Sequence, residues 1–335
     1  MSTIEQGDSS VHVPVLLHEI IETFRQEVGS WQSGISGDAS SGSRLPTSET
    51  SFWYVDGTLG GAGHALALAK EFQKSTGKKL NVIGFDRDSQ AIARAQESLK
   101  GYSEKLILEN ENYRAIEAVL EKHAVPKVNF ILLDLGISSD ELDNSGRGFT
   151  FLKDEPLLMT MGDPAQYPFT AKDIVNGWKE EDIANVIFGY GEDRYARRIA
   201  KKIVEYREKK QIETTMELAE IVKSAVPKQF RSFGKKVIHP ATKTFQGLRI
   251  TVNDELGALK EGLAKGYAQL ATGGRMAVIS FHSLEDRIVK EFLKEKKETG
   301  KAHILTKKPV TAVPQEIAEN PRSRSAKLRI IEKIN

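Results

Sequence analysis

The sequence contains no cysteine among its 335 residues. Disulfides, cysteine zinc sites and iron–sulfur clusters are therefore excluded, as is any mechanism that needs a cysteine nucleophile. No apolar run approaches the roughly 20 residues that a membrane-spanning helix requires. The polar residues 1–10 also lack the apolar core of a signal peptide. We therefore expect a cytoplasmic globular protein.

The net charge is only +2, but the positive charge is concentrated in two segments. Residues 194–236 contain 13 Lys and Arg against 5 Asp and Glu, and residues 286–335 contain 13 against 7. This asymmetry is typical of proteins that bind a polyanion. Solvated helix faces explain the charge of residues 194–210 equally well.

Short apolar runs alternate with helical patterns over the first 135 residues. Four runs are predicted to be strands, at 52–56, 80–86, 106–109 and 128–135. Strands separated by helices indicate a doubly wound parallel sheet with right-handed crossovers. The alternation stops at Gly136, only helical patterns follow to about residue 244, and the strand–helix pattern then resumes.

This pattern predicts an α/β fold, a Rossmann-like sheet interrupted by an all-helical insertion. We assign residues 1–142 and 245–335 to the sheet domain and residues 143–244 to the insertion. A short helix is expected at 13–27. Residues 30–51 are rich in Ser, Gly and Thr and are expected to form a flexible surface loop.

A glycine-rich loop from Asp56 to His64 follows the first predicted strand. Glycines at this place let the backbone turn sharply and approach a ligand at the start of the next helix. The second strand ends at Asp86, where an acid can accept hydrogen bonds from ribose hydroxyls.

The dinucleotide fingerprint fails in this loop, because Leu66 stands where its third glycine should be. The acid that opens the loop, Asp56, suits a ligand with a positively charged amino acid end. These features favour S-adenosylmethionine over a dinucleotide. A purely structural glycine turn is the alternative.

The fourth strand ends at Asp134, near the switch point where ligands of doubly wound sheets bind. A carboxylate there can hold an amino group against a methyl donor, although an acid that caps a turn is the alternative. Methyl transfer is an in-line displacement that depends mainly on positioning. Because carbon 5 of a pyrimidine is methylated through a cysteine adduct, only methylation at nitrogen fits this chain.

Nine ordered segments make the chain resemble the bacterial small-subunit (16S) ribosomal RNA cytosine N4-methyltransferases. They are HVPVLL (12–17), DGTLGGAGH (56–64), DLGISS (134–139), RGF (147–149), GEDRYARR (191–198), HPATKTFQ (239–246), NDEL (253–256), SFHSLEDR (280–287) and NPRSRSAKLR (320–329). The resemblance implies a class I methyltransferase with a helical domain inserted after the fourth strand. It also implies that one cytosine of the decoding region is modified, in free RNA or in the assembled small subunit.

We predict nine cofactor contacts: the resemblance places seven of them, and the glycine loop adds Asp56 and Gly60. These are Asp56, Gly60, Ala62, Gly63, His64, Asp86, Tyr113, Asp134 and Glu141. Tyr113 follows the third strand, where its ring could cover the adenine or simply pack in the core.

The catalytic candidates are Asp134 and His282, and Phe281 could stack on a splayed base. Ser283 is more simply explained as the N-cap of the helix that follows. The other candidate RNA contacts are Arg147, Arg194, Arg322 and Arg324. Plain solvated charge explains the last two equally well. The histidines lack metal-ligand spacing, so we predict no metal, and we leave a homodimer open.

Two departures from the family pattern concern the site. Leu158 and Thr160 stand where an Asp and an Arg are usual, and Asp140-Glu141 replaces a Pro-Gln pair. The alternative function is therefore an RNA-binding ribosome-assembly factor that keeps the cofactor fold with weak or no catalysis. Methylation of DNA fits less well, because the segment after Asp134 lacks the Pro-Pro-aromatic motif usual in DNA amino methylases.

Overall fold

The computed structural model describes residues 14–36, 51–227 and 239–334. Two compact units divide the chain. The sheet unit comprises Met1–Gly136 and Leu259–Asn335, and the helical unit comprises Ile137–Ala258. Sequence periodicity predicts the change of domain at residues 143 and 244, several residues inside these limits. Within the described ranges, no helix has both the length and the apolar character needed to cross a membrane.

Seven strands form one sheet in the order β3-β2-β1-β4-β5-β7-β6. They are β1 (Trp53–Asp56), β2 (Leu80–Phe85), β3 (Ser103–Glu109), β4 (Val128–Asp134), β5 (Leu270–Ser280), β6 (Ala302–Ile304) and β7 (Lys327–Lys333). The first five strands pair in parallel, and β7 lies antiparallel between β5 and β6. The predicted Rossmann-like α/β sheet is confirmed. Its strand order reverses between β1 and β4, which makes their carboxyl ends the expected ligand-binding edge.

The central strands are apolar on both faces because helices cover both sides of the sheet. In β1, Tyr54 packs into one core and Val55 into the other, and in β4 Phe130 and Ile131 alternate in the same way. This two-residue alternation is the geometry of a strand buried on both faces. It fixes which side of the sheet each side chain occupies.

In the described part of the sheet unit, seven α-helices lie wholly or partly within it. They are α1 (Leu17–Ser36), α2 (Gly63–Thr76), α3 (Ser89–Ser98), α4 (Ile116–Lys122), α11 (Glu255–Gln269), α12 (Ser283–Glu298) and α13 (Pro314–Glu319). The first helix continues through Ser36, so residues 30–36 are helical and the expectation of a loop there is wrong. Val28 and Trp31 are buried in the core and hold this part of the helix in place. Residues 37–50 of the predicted loop lie outside the described residues.

The helical unit contains α5 (Ser139–Asn144), α6 (Ala171–Gly177), α7 (Glu180–Gly189), α8 (Ala196–Arg207), α9 (Thr215–Ala225) and α10 (Ala241–Asn253). Its described residues hold an isolated bridge between Pro156 and Thr214 but no strand. Thr170 and Thr214 each begin a helix with a reciprocal capping box, which explains why two of the predicted helices begin where they do. The unit has its own apolar core, centred on residues such as Ile183, Ile199 and Leu248.

Candidate cofactor-binding site

The glycine loop is tied to the ends of two strands. Gly57 N donates to Leu132 O of β4 at 2.9 Å, and Leu59 N donates to Phe85 O of β2 at 3.0 Å. A side chain at Gly57 has no room, because its Cβ would lie 2.3 Å from Leu133 Cδ2. The first glycine is therefore required by the packing of the loop against β4, whatever ligand the loop binds.

The loop leads into α2 through Ala62, which adopts the left-handed conformation with φ 58°. No side chain among the described residues caps the first turn of α2, so its amide N–H groups are positioned to bind a ligand. Gly63 is needed for a different reason. A Cβ there would lie 2.6 Å from Pro14 Cγ, which means that the N-terminal segment is packed directly against the loop.

Asp56 lies beneath the loop and is 2% exposed. Its Oδ2 accepts a hydrogen bond from the Tyr54 hydroxyl at 2.8 Å, and its Oδ1 accepts one from Thr58 N at 3.1 Å. Burial raises the pKa of the Asp56 carboxyl to about 6, although these two hydrogen bonds oppose the shift. Asp56 therefore shapes the loop and places negative charge under it, and a direct contact with the cofactor stays a prediction.

The sequence predicts Asp86, at the end of the second strand, as the acceptor for the ribose hydroxyls. Its Oδ2 accepts from Gly60 N at 2.7 Å, and its Oδ1 accepts from Asp88 N at 2.8 Å. Burial raises the pKa of this carboxyl. Each oxygen has one backbone donor and can accept a second hydrogen bond, so the pair is positioned to receive two ribose hydroxyls.

Asp134 is the last residue of β4, and one of its carboxylate oxygens is buried in an unusual way. Its Oδ1 is fully enclosed, and no donor in the described part of the chain reaches it, although about a quarter of the side chain is exposed. Burial raises the pKa of the Asp134 carboxyl well above its usual value, and the nearby Asp56 and Glu285 carboxylates add to the shift. A buried acceptor without a donor indicates a place for a ligand donor.

His64 connects Asp134 to the N-terminal segment. Its Nε2 lies 3.0 Å from Val15 O, and its Nδ1 lies 3.6 Å from Asp134 Oδ2. Because a backbone carbonyl can only accept, Nε2 carries a proton and Nδ1 faces the carboxylate. The sequence predicts His64 as a cofactor contact; its geometry also makes it a support for Asp134.

Tyr113 borders the loop from the other side. Its Cβ lies 3.2 Å from where a Cβ on Gly57 would be, and its ring edge lies 2.4 Å from where one on Gly262 would be. The ring therefore packs over the bare backbone of α11 and beside the start of the glycine loop. Tyr113 packs against the core of the sheet unit, and its role as a cover for the adenine stays a prediction.

The segment after β5 corrects one expectation. His282, not Ser283, is the N-cap of α12, and Glu285 completes a capping box with it. Glu285 Oε2 accepts from Phe281 N at 2.8 Å and from His282 N at 3.2 Å. An imidazole nitrogen can accept the capping bond that a serine hydroxyl usually accepts, which residue-type preference does not reveal. The predicted catalytic residue His282 is thus also structural.

Three other predicted contacts lie in the sheet unit. The Phe281 ring lies 3.6 Å from where a Cβ on Gly136 would be, so it covers the end of β4. Arg324 is exposed in the short turn before β7, and Arg322 beside it is half-buried. The neighbouring Arg329 instead forms an ion pair with Asp286, at 2.7 Å.

Three predicted contacts belong to the helical unit. Glu141 completes a capping box with Ser138 at the start of α5. Arg147 is largely buried, lies 3.7 Å from Glu141 and donates to Met161 O at 3.1 Å. Arg194 is exposed. Arg147 therefore orders its own unit, and its role as an RNA contact rests on the resemblance alone.

The family departures also lie in the helical unit. Thr160 is fully buried and its hydroxyl has no hydrogen-bond partner in the described residues, and Leu158 is half-buried. The side chain of Asn253 holds residues 159–161 in place, because it donates a hydrogen bond to Met159 O and accepts one from Met161 N. The change at position 160 is therefore a change in the interior of this unit.

Several residues of the site were not singled out by the sequence analysis. Tyr54 supports Asp56, Glu285 organises the turn after β5, and Thr58 Oγ1 accepts from Asp134 N at 2.7 Å. Thr58 lies within the glycine loop, so its position was a usable signal. The other two lie within four residues of their partners, but residue type and periodicity do not show which side chain turns toward which group.

The donor and acceptor groups of the sheet unit fit S-adenosylmethionine. Buried carboxylates match its ribose hydroxyls and its cationic groups, and the uncapped start of α2 matches a carboxylate. A pyrophosphate would instead meet three acids, Asp56, Asp86 and Asp134, at the same edge of the sheet. The site therefore fits a ligand with net positive charge at its centre.

Comparison with known proteins identifies the family. The sequence matches the MraW methylase family over residues 9–334. A protein of Deinococcus deserti named "Ribosomal RNA small subunit methyltransferase H" is 50% identical over 280 residues, which cover 84% of this chain and 86% of that protein. Proteins of the same name from Sulfurihydrogenibium sp. (47% identical, 84% and 92% covered) and Deinococcus radiodurans (45% identical, 96% and 89% covered) are also similar.

Proposed function

The chain belongs to the MraW methylase family, and on that basis we propose that it methylates N4 of a cytosine in the decoding region of small-subunit ribosomal RNA. The methyl donor is S-adenosylmethionine. The names of the relatives support the RNA, and the absence of cysteine supports nitrogen as the acceptor atom. The observation that carries the proposal is the enclosed Oδ1 of Asp134 at the end of β4, which no donor in residues 14–36, 51–227 or 239–334 reaches.

S-adenosylmethionine supplies a methyl group on a positively charged sulfonium. The chain itself binds and orients. Asp86 accepts the ribose hydroxyls through its remaining lone pairs, the amides at the start of α2 receive the carboxylate, and Tyr113 borders the adenine. The charge of Asp56 under the loop stabilises the cationic centre. Glu141 and Gly60 complete the proposed contacts.

Asp134 orients the amine that is to be methylated. Its Oδ1 accepts a hydrogen bond from the N4 amino group, while His64 supports its Oδ2 from the other side. Positioning of this kind is the main requirement of an in-line displacement. His282 and Phe281 are proposed to contact the base, and Arg322 and Arg324 the phosphates.

The alternative role as an assembly factor without catalysis rests on the departures at Leu158 and Thr160. Thr160 is buried in the helical unit, so its replacement of an arginine does not remove an exposed contact. We expect robust turnover in the unchanged protein and no gain from the pair Leu158→Asp and Thr160→Arg. A large increase in turnover on restoring these residues would support the alternative.

The substrate is tested by mapping modified nucleotides in small-subunit RNA from cells that lack the gene. Loss of one N4-methylated cytosine is expected, with recovery when the wild-type gene is returned and none when Asp134→Asn is returned. An unchanged map would refute the substrate. Comparing free RNA with assembled subunits in the same assay identifies the partner. A cytoplasmic location follows from this substrate, and a homodimer is tested by sedimentation.

A further inference from the structure

The helical unit carries an exposed feature that the cofactor site does not use. We name residues 188–198, which connect α7 to α8, the α7–α8 tip. Phe188 is 66% exposed and Tyr190 is 39% exposed. A single exposed aromatic residue is ordinary on a protein surface, but here two of them precede a basic segment, residues 194–198.

The tip is held rigidly from beneath by α10. Gly191 has no room for a side chain, since its Cβ would lie 2.3 Å from Lys243 O. The Lys243 ammonium donates to Glu192 O at 2.7 Å, and Gln246 Nε2 donates to Tyr190 O at 2.9 Å. The aromatic rings are therefore presented on an ordered backbone, which lowers the entropy cost of binding.

The charge of the tip is available to a partner. Arg197 and Arg198 are exposed and make no hydrogen bond or ion pair within the described part of the chain. Arg194 is exposed too, and its guanidinium lies 4.8 Å from the centre of the Tyr195 ring. Glu192 is the one exposed acid among the eleven residues of the tip, so the local charge is positive.

Exposed aromatic rings beside arginines are the combination that binds unpaired nucleotides, because rings stack on bases while guanidinium groups contact phosphates. A paired helix would hide its bases from the rings. We propose that the α7–α8 tip binds a single-stranded segment of RNA, with Phe188 and Tyr190 stacking on bases and Arg197 and Arg198 on phosphates. The identity of that RNA as ribosomal rests on the proposed function; the existence of the binding surface does not.

The test measures the affinity of the full-length protein for a fluorescent single-stranded fragment of small-subunit RNA at several salt concentrations. Phe188→Ala is expected to raise Kd at least fivefold, and Phe188→Tyr to restore it. Arg197→Ala with Arg198→Ala should raise Kd and reduce the salt slope by about 0.7 for each lost phosphate contact.

Matched controls lie elsewhere on the same unit. Leu152→Ala removes a side chain that is 85% exposed, and Lys209→Ala removes an exposed charge beyond the other end of α8, about 15 Å from the tip. Both should leave Kd within twofold. Circular dichroism and affinity for S-adenosylhomocysteine should be unchanged in every tip variant.

Equal affinity and an equal salt slope in the tip variants would overturn the proposal. So would a loss of binding to assembled subunits without any loss for free RNA, because that result would indicate a ribosomal protein as the partner. A stronger effect of the variants on duplex RNA than on single strands would also overturn it. If the tip variants lose RNA binding but no cytosine is ever methylated, the inference stands and the proposed function fails.

Discussion

The buried carboxyl of Asp56 should make the protein less stable as the pH rises, and Asp56→Asn should remove that loss. Burial raises the pKa of this group from 3.8 to about 6 in the folded protein. The folded state therefore holds its proton more tightly than the unfolded chain, which releases it near pH 4. Stability falls as the pH rises through this window, and the full cost is present above about pH 6.

The size of this stability difference follows from the shift in the pKa of Asp56. A change of about two pKa units corresponds to about 3 kcal/mol at 1.36 kcal/mol per unit, and Asp56 is too enclosed for solvent to screen it. An asparagine has no proton to lose, and its oxygen and amide can still bond Thr58 N and the Tyr54 hydroxyl. We therefore expect Asp56→Asn to match the wild type near pH 4 and to exceed its free energy of unfolding by up to about 3 kcal/mol at pH 8.

Urea unfolding followed by circular dichroism at pH 4.5, 6 and 8 measures this difference. Titration calorimetry should show that Asp56→Asn binds S-adenosylmethionine several-fold more weakly, because charge beneath the loop is lost. A difference in stability that is constant across the three pH values would refute the reasoning, since only a group with a shifted pKa makes it change.

Glu27 on α1 provides a matched control outside the site. Burial raises the pKa of its carboxyl to about 8, although Arg275 lies 3.5 Å away and opposes the shift. As for Asp56, the raised pKa means that the wild type loses stability as the pH rises. The free energy of unfolding of Glu27→Gln should therefore rise above that of the wild type between about pH 4.5 and 8, and the difference should persist at higher pH. The affinity of Glu27→Gln for S-adenosylmethionine should equal that of the wild type. A weakened affinity would show that the calorimetry of Asp56→Asn reports general damage.

Three glycine substitutions test the packing of the site. Gly57→Ala should lower the free energy of unfolding by about 1–3 kcal/mol through its clash with Leu133. Gly61 faces open space, so Gly61→Ala should change the free energy of unfolding by less than about 0.5 kcal/mol. Equal values for the two variants in urea unfolding would contradict this packing. Gly262→Ala favours helix by about 1 kcal/mol but should displace the Tyr113 ring and raise Kd for S-adenosylhomocysteine about tenfold, and an unchanged Kd would remove Tyr113 from the adenine position.

The sheet and its acids were predictable from sequence because they depend on local pattern. Apolar runs that end in Asp56, Asp86 and Asp134 mark strands whose carboxyl ends meet at one edge. The glycine loop between β1 and α2 was equally predictable, because a run of glycines after a strand is typical of a sharp turn at a ligand-binding edge.

Contacts between distant segments were not predictable. The contact of His64 with Val15 O and the approach of Pro14 to Gly63 join residues about fifty positions apart, and periodicity does not report such pairs. Likewise α10 was missed because its sequence, with Gly247 and several Thr, resembles a loop in composition. Packing of its buried Phe245 against the helical core decides the outcome.

The first residue of a helix was also not predictable from residue type alone. Ser283 is the residue type expected at an N-cap, but the helix begins one residue earlier because Glu285 reaches back to the amides of Phe281 and His282. The choice depends on the geometry of the turn after β5, which residue preference does not contain.

The central claim is tested most directly by methyl transfer with purified components. The protein is incubated with methyl-labelled S-adenosylmethionine and small subunits that lack the modification, and the digested RNA is analysed by mass spectrometry. We predict close to one labelled N4-methylcytidine per subunit at a decoding-region position, and none with Asp134→Asn. Label at carbon 5 of a pyrimidine, on another base, or absent from the RNA would contradict the account.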